Sequence, residues 1–301
     1  MEVGPLGRRV GSDFPTLRQR RFLVAEGYEQ LVYRPHSLLG ERPHLMPILK
    51  VNNFVDFYRY LATSSDVHAL SGRGDEVAAT EFANRRILET LELAPDDALL
   101  DIGCGDGCLL RMAEGRVATR VGIVPSYEEQ EELQKNVAGV TIHVAGAQTL
   151  PLESVEFSKI VCNSVLLLLE SENDVCQAMK EIARVARPHA RVWLGEIPAV
   201  DELTCFGKYK GNSIVGFLWH SLRRVGPRAF LSSAKEVLAA LAGTHTLVLS
   251  SAAIFHASPE KFIRMAEQCG LRPASHFKHE RLDRSGKIVE SPYRYNYIFV
   301  K

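Results

Sequence analysis

Leu99-Leu100-Asp101-Ile102-Gly103-Cys104-Gly105-Asp106-Gly107 decides the fold of this 301-residue chain. Preceded by Pro95-Asp96-Asp97 and followed by Cys108-Leu109-Leu110-Arg111-Met112, it reads as a turn, a buried strand, a glycine-rich loop and the first turn of a helix. The strand is apolar because a parallel sheet is covered on both faces. The glycines let the backbone turn sharply and approach a ligand that a Cβ would push away. The helix start adds unpaired N–H groups and partial positive charge, which favour a nucleotide-like or carboxylate-bearing ligand.

A dinucleotide fingerprint requires G-x-G-x-x-G, whereas this loop runs Gly103-x-Gly105-x-Gly107 with Asp101 two residues ahead, so the spacing speaks against a nicotinamide dehydrogenase. The stretch resembles the first motif of class I S-adenosylmethionine-dependent methyltransferases, a strand ending in an acid and then G-x-G-x-G. The resemblance implies that Gly103, Cys104, Gly105 and Asp106 pack on the methionine end of S-adenosyl-L-methionine. It also implies that Asp101 holds the cofactor's ammonium group.

The chain is long enough for one α/β domain of ordinary size with additions. Lys plus Arg and Asp plus Glu are 36 each, so no net field draws the protein to nucleic acid or an anionic membrane, and a small-molecule substrate is expected. Cysteines 104, 108, 162, 176, 205 and 269 form no C-x-x-C pair, which points to buried thiols in a reducing compartment. No signal-like start and no apolar run near the ~18 residues of a membrane span are visible, so a cytoplasmic protein is expected.

Ahead of the core, Arg21–Tyr33 reads as two short strands around Glu26-Gly27, the start of a small β module. With no cysteine before position 104, metal is not expected there. Asn52–Ala62 reads as an aromatic helix, and the resemblance places such a segment over the cofactor, with Tyr58 facing substrate. Its alternative use, with Phe54, Phe57 and Leu61, is packing on the core. Residues 1–74 are therefore an N-terminal extension and 75–301 the methyltransferase-like domain. That domain opens on a helix capped by Asp75, with Ala83, Ile87, Leu88 and Leu91 on one face.

The second strand, Arg120–Val124, leads into Pro125-Ser126. The resembling family places a ribose-binding acid where this chain has Val124; Val124 and Pro125 are kept as lining residues, and Glu128 and Glu129 lie close enough to substitute. Glu129 also completes a Ser126-x-x-Glu129 capping box. The third strand, Val140–Val144, runs into Ala145–Pro151, similar to the family's G-D-A-x-x-L-P loop. There Gly146 replaces the adenine-binding acid, leaving Ala147 and Gln148 to bond the ring. The fourth strand, Ser158–Leu167, ends toward the cofactor, making Asn163 and Ser164 candidate contacts. Helix Ser171–Pro188 and a fifth strand, Arg191–Ile197, match the family's helix, R-V-L-K-P turn and strand, so the resemblance extends over about residues 76 to 197.

Residues 198–257 are read as an insertion that builds a substrate lid or a dimer contact, with lying on a membrane, by the helix that Arg223-Arg224 flank, as the lesser alternative. Ile214, Phe217, Leu218 and Leu222, with Trp219, form an amphipathic helix within it. Tyr209, His220 and His256 are its acceptor-pocket candidates, and no residue is marked as a general base. Ser258-Pro259 opens the last helix and Gly270 closes it; Leu271–Lys278 and Tyr293–Val300 form an antiparallel hairpin. His276 and His279 are placed by alternation on opposite faces, so no metal site is expected. The expected fold is a Rossmann-like seven-stranded, mostly parallel sheet with one antiparallel strand and helices on both faces. The expected activity is S-adenosylmethionine-dependent methyl transfer to an oxygen or nitrogen of a small molecule, such as a sugar-derived or secondary-metabolite hydroxyl. With Val124 and Gly146 in place of acids, a catalytically inactive scaffold subunit is the alternative.

Overall fold

The computed structural model describes residues 32–33, 48–51, 77–199, 211, 213–243, 246–250, 254–283 and 286–301. At its centre is a seven-stranded sheet in the order β5-β4-β3-β6-β7-β10-β9. The strands are β3 (Ala98–Ile102), β4 (Thr119–Val124), β5 (Thr141–Val144), β6 (Phe157–Asn163), β7 (Ala186–Pro198), β9 (Arg272–Leu282) and β10 (Ile288–Val300). All neighbours from β5 to β7 are parallel; β10 runs antiparallel to both β7 and β9 and is the reversed strand.

The two faces of this sheet explain the apolar runs. Leu99, Val161, Trp193 and Ile298 turn to one side, beneath α1 (Val77–Leu91) with its Ile87, Leu88 and Leu91. Leu100, Ile160, Cys162, Val192, Leu194, Tyr297 and Phe299 turn to the other. There they meet Val175, Met179 and Ile182 of α4 (Glu172–Val185) and Phe262 and Met265 of α7 (Pro259–Gln268). Alternate residues of one strand therefore feed two cores, and β3 is buried along its whole length. Burial of a side chain the size of Leu contributes about 1.5–3 kcal/mol, so a charged residue inside β3 needs a reason of its own.

Several strand boundaries differ from expectation: the final hairpin is longer, its strands reaching Leu282 and starting at Ile288, and two differences lie at the central strands. β6 ends at Asn163, not Leu167: Ser164 takes a left-handed φ of 61°, and Leu166–Leu168 fold into a 3₁₀ turn. That turn buries Leu166 and lets Leu167 O accept from Phe255 N, contacts an extended strand would forfeit. β7 starts at Ala186, opposite Phe157, rather than at Arg191.

A second, three-stranded sheet joins β1 (Val32–Tyr33), β8 (Thr246–Ser250) and β2 (Ile48–Val51) in that order. β8 lies within 198–257, so part of the insertion and part of the N-terminal extension form one unit. Phe217 of α5 (Ile214–His220) and Val237 and Ala240 of α6 (Pro227–Leu241) pack with Leu247 and Leu249 of β8. The rest of Arg21–Tyr33, and the aromatic segment with Tyr58, lie outside the described residues, as does Tyr209.

Candidate functional site

The glycine loop emerges from β3 between β4 and β6 and leads into α2 (Cys108–Met112). Gly103, Gly105 and Gly107 all have φ between 53° and 73°, a region other residues enter at a cost of roughly 1–2 kcal/mol. At Gly103 a Cβ would also overlap Val165 Cγ2, and at Gly107 one would lie 2.6 Å from Val137 Cγ2. The backbone is folded against its neighbours on one side and faces a cavity of about 370 Å³ on the other.

This cleft gathers Asp101, Gly103, Cys104, Gly105, Asp106, Val124, Pro125, Ala147, Gln148, Asn163 and Ser164, each of them a cofactor candidate in the sequence. It lies outside the carboxyl ends of β3, β4, β5 and β6, where open α/β sheets bind ligands. His220, on α5, and His256, exposed with Nδ1 against Ile254 O at 3.0 Å, do not line it. These two acceptor-pocket candidates are therefore not brought to the cofactor candidates.

Asp101 is 5% exposed and faces the cleft. Burial, with the nearby Asp106 charge as a lesser cause, pushes its carboxyl up to about 7. An ionised carboxylate held this way is costly unless a cation or donors meet it, so the position favours a cationic ligand group. Asp106 is engaged differently. Its Oδ1 accepts from Cys108 N at 3.0 Å, and Arg111 Nη2 lies 3.8 Å from Oδ2, so it ties the loop to α2 as well as lining the cleft.

Two residues after Val124, Ser126 caps α3 (Tyr127–Asn136) by accepting from Glu129 N at 3.3 Å, and its hydroxyl donates to Glu129 Oε1 at 3.1 Å. The expected cap is present, and Glu129, 1% exposed, is also one of the residues that line the cleft. Burial raises Glu129 to about 7 against the lowering effect of the Ser126 bond. The acid that strand β4 lacks at its end thus enters the cleft from the first turn of α3. The third strand's loop has no such replacement: Gln148 Oε1 lies 2.9 Å from where a Gly146 Cβ would be, so the amide covers the place of a side chain at 146. An ion pair holds this loop. Glu181 Oε2 accepts from Leu150 N at 2.8 Å, and Arg184 donates to Leu150 O at 3.0 Å and Leu152 O at 2.8 Å.

Other lining residues escaped the sequence reading. Thr80 and Asn84 are buried polar residues beside the apolar stripe of α1; that interruption was the available signal. Leu168, Leu169 and Glu170 come from the 3₁₀ turn after β6 and the residues behind it, just past the strand that the sequence ends at Leu167, and Asp174 stands in the first turn of α4. Among the described residues the cleft has Asp101, Asp106, Glu129, Glu170 and Asp174 but no Lys, Arg or His. Cys104 and Cys162 are buried, and burial pushes both thiols up, so both stay protonated, Cys104 as apolar wall of the cleft and Cys162 within the core.

Comparison with known proteins bears on this geometry. Residues 100–194 match a family model described as a methyltransferase domain. An uncharacterised 37.1 kDa protein of transposon Tn4556 from Streptomyces fradiae is 32% identical over 139 residues, which cover 43% of this chain. The match spans 39% of that protein's own length. Among solved structures, a SAM-dependent methyltransferase from Leishmania major superposes with a TM-score of 0.54 at 14% identity, covering 82% of this chain and 81% of that one. The N-methyltransferase NodS from Bradyrhizobium japonicum WM9, solved with S-adenosyl-L-homocysteine, gives 0.52 at 13% identity, covering 83% and 99%. At such identities these structures speak for the fold. Residues 100–194 thus match a methyltransferase domain, and the strand order and glycine loop above are those of the fold that these structures share.

Proposed function

We propose that the cleft binds S-adenosyl-L-methionine and that the protein transfers its methyl group to an oxygen or nitrogen of a small molecule. The observation that carries this reading is Asp101, a nearly buried carboxylate at the glycine loop with a cavity of about 370 Å³ in front of it. The residues fit the cofactor's chemistry. Asp101 suits an ammonium group, the Gly103–Gly105 backbone a close-packed methionine chain, Glu129 a pair of ribose hydroxyls, and Ala147 and Gln148 an adenine edge. A carboxylate from Glu129 answers the loss at Val124 that favoured an inactive scaffold.

When bound, the cofactor supplies an already activated sulfonium methyl. The chain's share is to orient the acceptor and exclude water. Asn163 and Ser164, where β6 ends, are the polar groups placed to position an acceptor atom. A cleft with carboxylates and no basic side chain among the described residues disfavours phosphorylated or carboxylate acceptors. It favours a neutral hydroxyl or an amine.

Native mass spectrometry of the purified protein tests the reading. A bound species with the mass of S-adenosylmethionine or S-adenosylhomocysteine is expected. A protein that carries neither, and takes up neither at millimolar concentration, contradicts it.

A further inference from the structure

The helical hairpin α5–α6 is apolar on two sides. Inward, Phe217, Ser221, Val237 and Ala240 are buried over β8, and Ser221 Oγ lies 2.8 Å from Ser233 Oγ, locking the helices together. Outward, Val215, Trp219 and Leu222 recur at helical spacing across α5 and the π-helical turn that follows it (Ser221–Val225). Leu231 and Leu238 do the same on α6. These outward residues are exposed, Val215 to 76% and Trp219 to 55%. A helix apolar all round is ordinarily covered by something.

The charges beside the outer stripes name the cover. Arg223 stacks over the Trp219 ring at 5.0 Å, and Arg228 and Lys235 flank Leu231 and Leu238 on the exposed side of α6. Between Ser213 and Gly243 the chain has Arg223, Arg224, Arg228 and Lys235 against one carboxylate, Glu236, although the whole protein has net charge zero. In a two-fold pairing of this face, like charges would meet like across the interface, which disfavours a second copy. An apolar stripe edged by basic residues, with an exposed Trp beneath a guanidinium, matches the boundary of an anionic bilayer. There, long basic side chains reach the headgroups while the rings and leucines enter the acyl edge.

We infer that the α5–α6 hairpin docks this protein onto anionic lipid surfaces, lying in the interface rather than crossing it. The inference stands apart from methyl transfer and survives or fails on its own.

The full-length protein is mixed with phosphatidylglycerol or phosphatidylcholine vesicles, and co-sedimentation and tryptophan emission are recorded. The chain's tryptophans are Trp193, 2% exposed, and Trp219, so a change in emission reports Trp219. Expected are sedimentation with phosphatidylglycerol, a blue shift absent in Trp219→Phe, and reversal near 1 M salt, where charges are screened within about 3 Å. Arg228→Gln and Lys235→Gln should each lower partitioning about fivefold. Leu231→Glu with Leu238→Glu should abolish it while leaving far-UV circular dichroism unchanged. Unaltered emission and no sedimentation with phosphatidylglycerol would overturn the inference. So would lipid-free protein in which Trp219 is already shielded from acrylamide, whether in a monomer, by another part of the chain, or in a concentration-dependent dimer.

Discussion

Asn163 donates its side-chain amide to Glu196 Oε1 at 3.0 Å, while its oxygen accepts from Trp193 Nε1 at 3.1 Å. An indole nitrogen can only donate and a carboxylate only accept, so the amide is fixed in one orientation where it lines the cleft. Glu196 is nearly buried with φ 62°, and its other oxygen takes Arg294 Nη1 at 2.5 Å. Glu196→Ala would leave the guanidinium without that partner and release Asn163. The expected cost is about 3 kcal/mol, the low end for a broken buried pair because Arg294 keeps some exposure. A shift of the urea midpoint at unchanged m-value checks it. A midpoint equal to wild type would show that the pair does not hold this end of the sheet.

Gly103 and Val165 are sterically coupled. Gly103→Ala places a methyl against Val165 Cγ2 in a left-handed backbone, so both stability and cofactor affinity should fall. Val165→Ala removes the opposing methyl and should restore part of the loss. A double-mutant cycle showing coupling of at least about 0.5 kcal/mol is expected, and strict additivity would contradict the packing.

Arg184 holds the Leu150–Leu152 loop through carbonyl bonds, and its guanidinium keeps Glu181 below the usual carboxylate range. A lysine offers a point charge where a fork is used, so Arg184→Lys should loosen the loop. The pair is partly exposed, so the global cost should be only about 1 kcal/mol. Faster hydrogen exchange at the Leu150 amide is the sensitive readout; unchanged exchange would mean the ion pair does not anchor the loop.

The carboxyl of Asp101 lies at about 7 in the folded protein against a reference of 3.8. The folded state therefore holds more protons than the unfolded one between about pH 4 and 7. This group makes the unliganded protein less stable as pH rises through that window, with no further change above it. A ligand ammonium requires the ionised form, so affinity should weaken as pH falls below 7. The drop should be about fivefold from pH 7 to pH 6 and about 50-fold between pH 7 and pH 5. A binding constant flat across that range would exclude Asp101 as the ammonium partner.

What the sequence made legible was local. Asp101 and the glycines after it announce a strand and a tight loop because their spacing is read within a few residues, and the sheet order follows once those units are recognised. Glu129 was harder, because one residue does two things: its N–H completes a cap that the sequence shows, and its carboxylate points where only the fold tells. Val165–Leu167 looked like strand because an apolar run has no period of its own; the 3₁₀ turn goes with the burial of Leu166 and the bond from Phe255 N to Leu167 O. Likewise the outward stripe of α5–α6 is indistinguishable in sequence from a core stripe until exposure is known.

Isothermal titration calorimetry of S-adenosylmethionine against wild type and Asp101→Asn at pH 8 tests the central claim most directly. Asparagine keeps the shape and removes the charge. The account predicts micromolar binding to wild type and binding about 10- to 100-fold weaker to the variant, the loss of a charge-assisted contact of about 1.5–3 kcal/mol. Equal affinities, or no binding to wild type at millimolar cofactor, would contradict it.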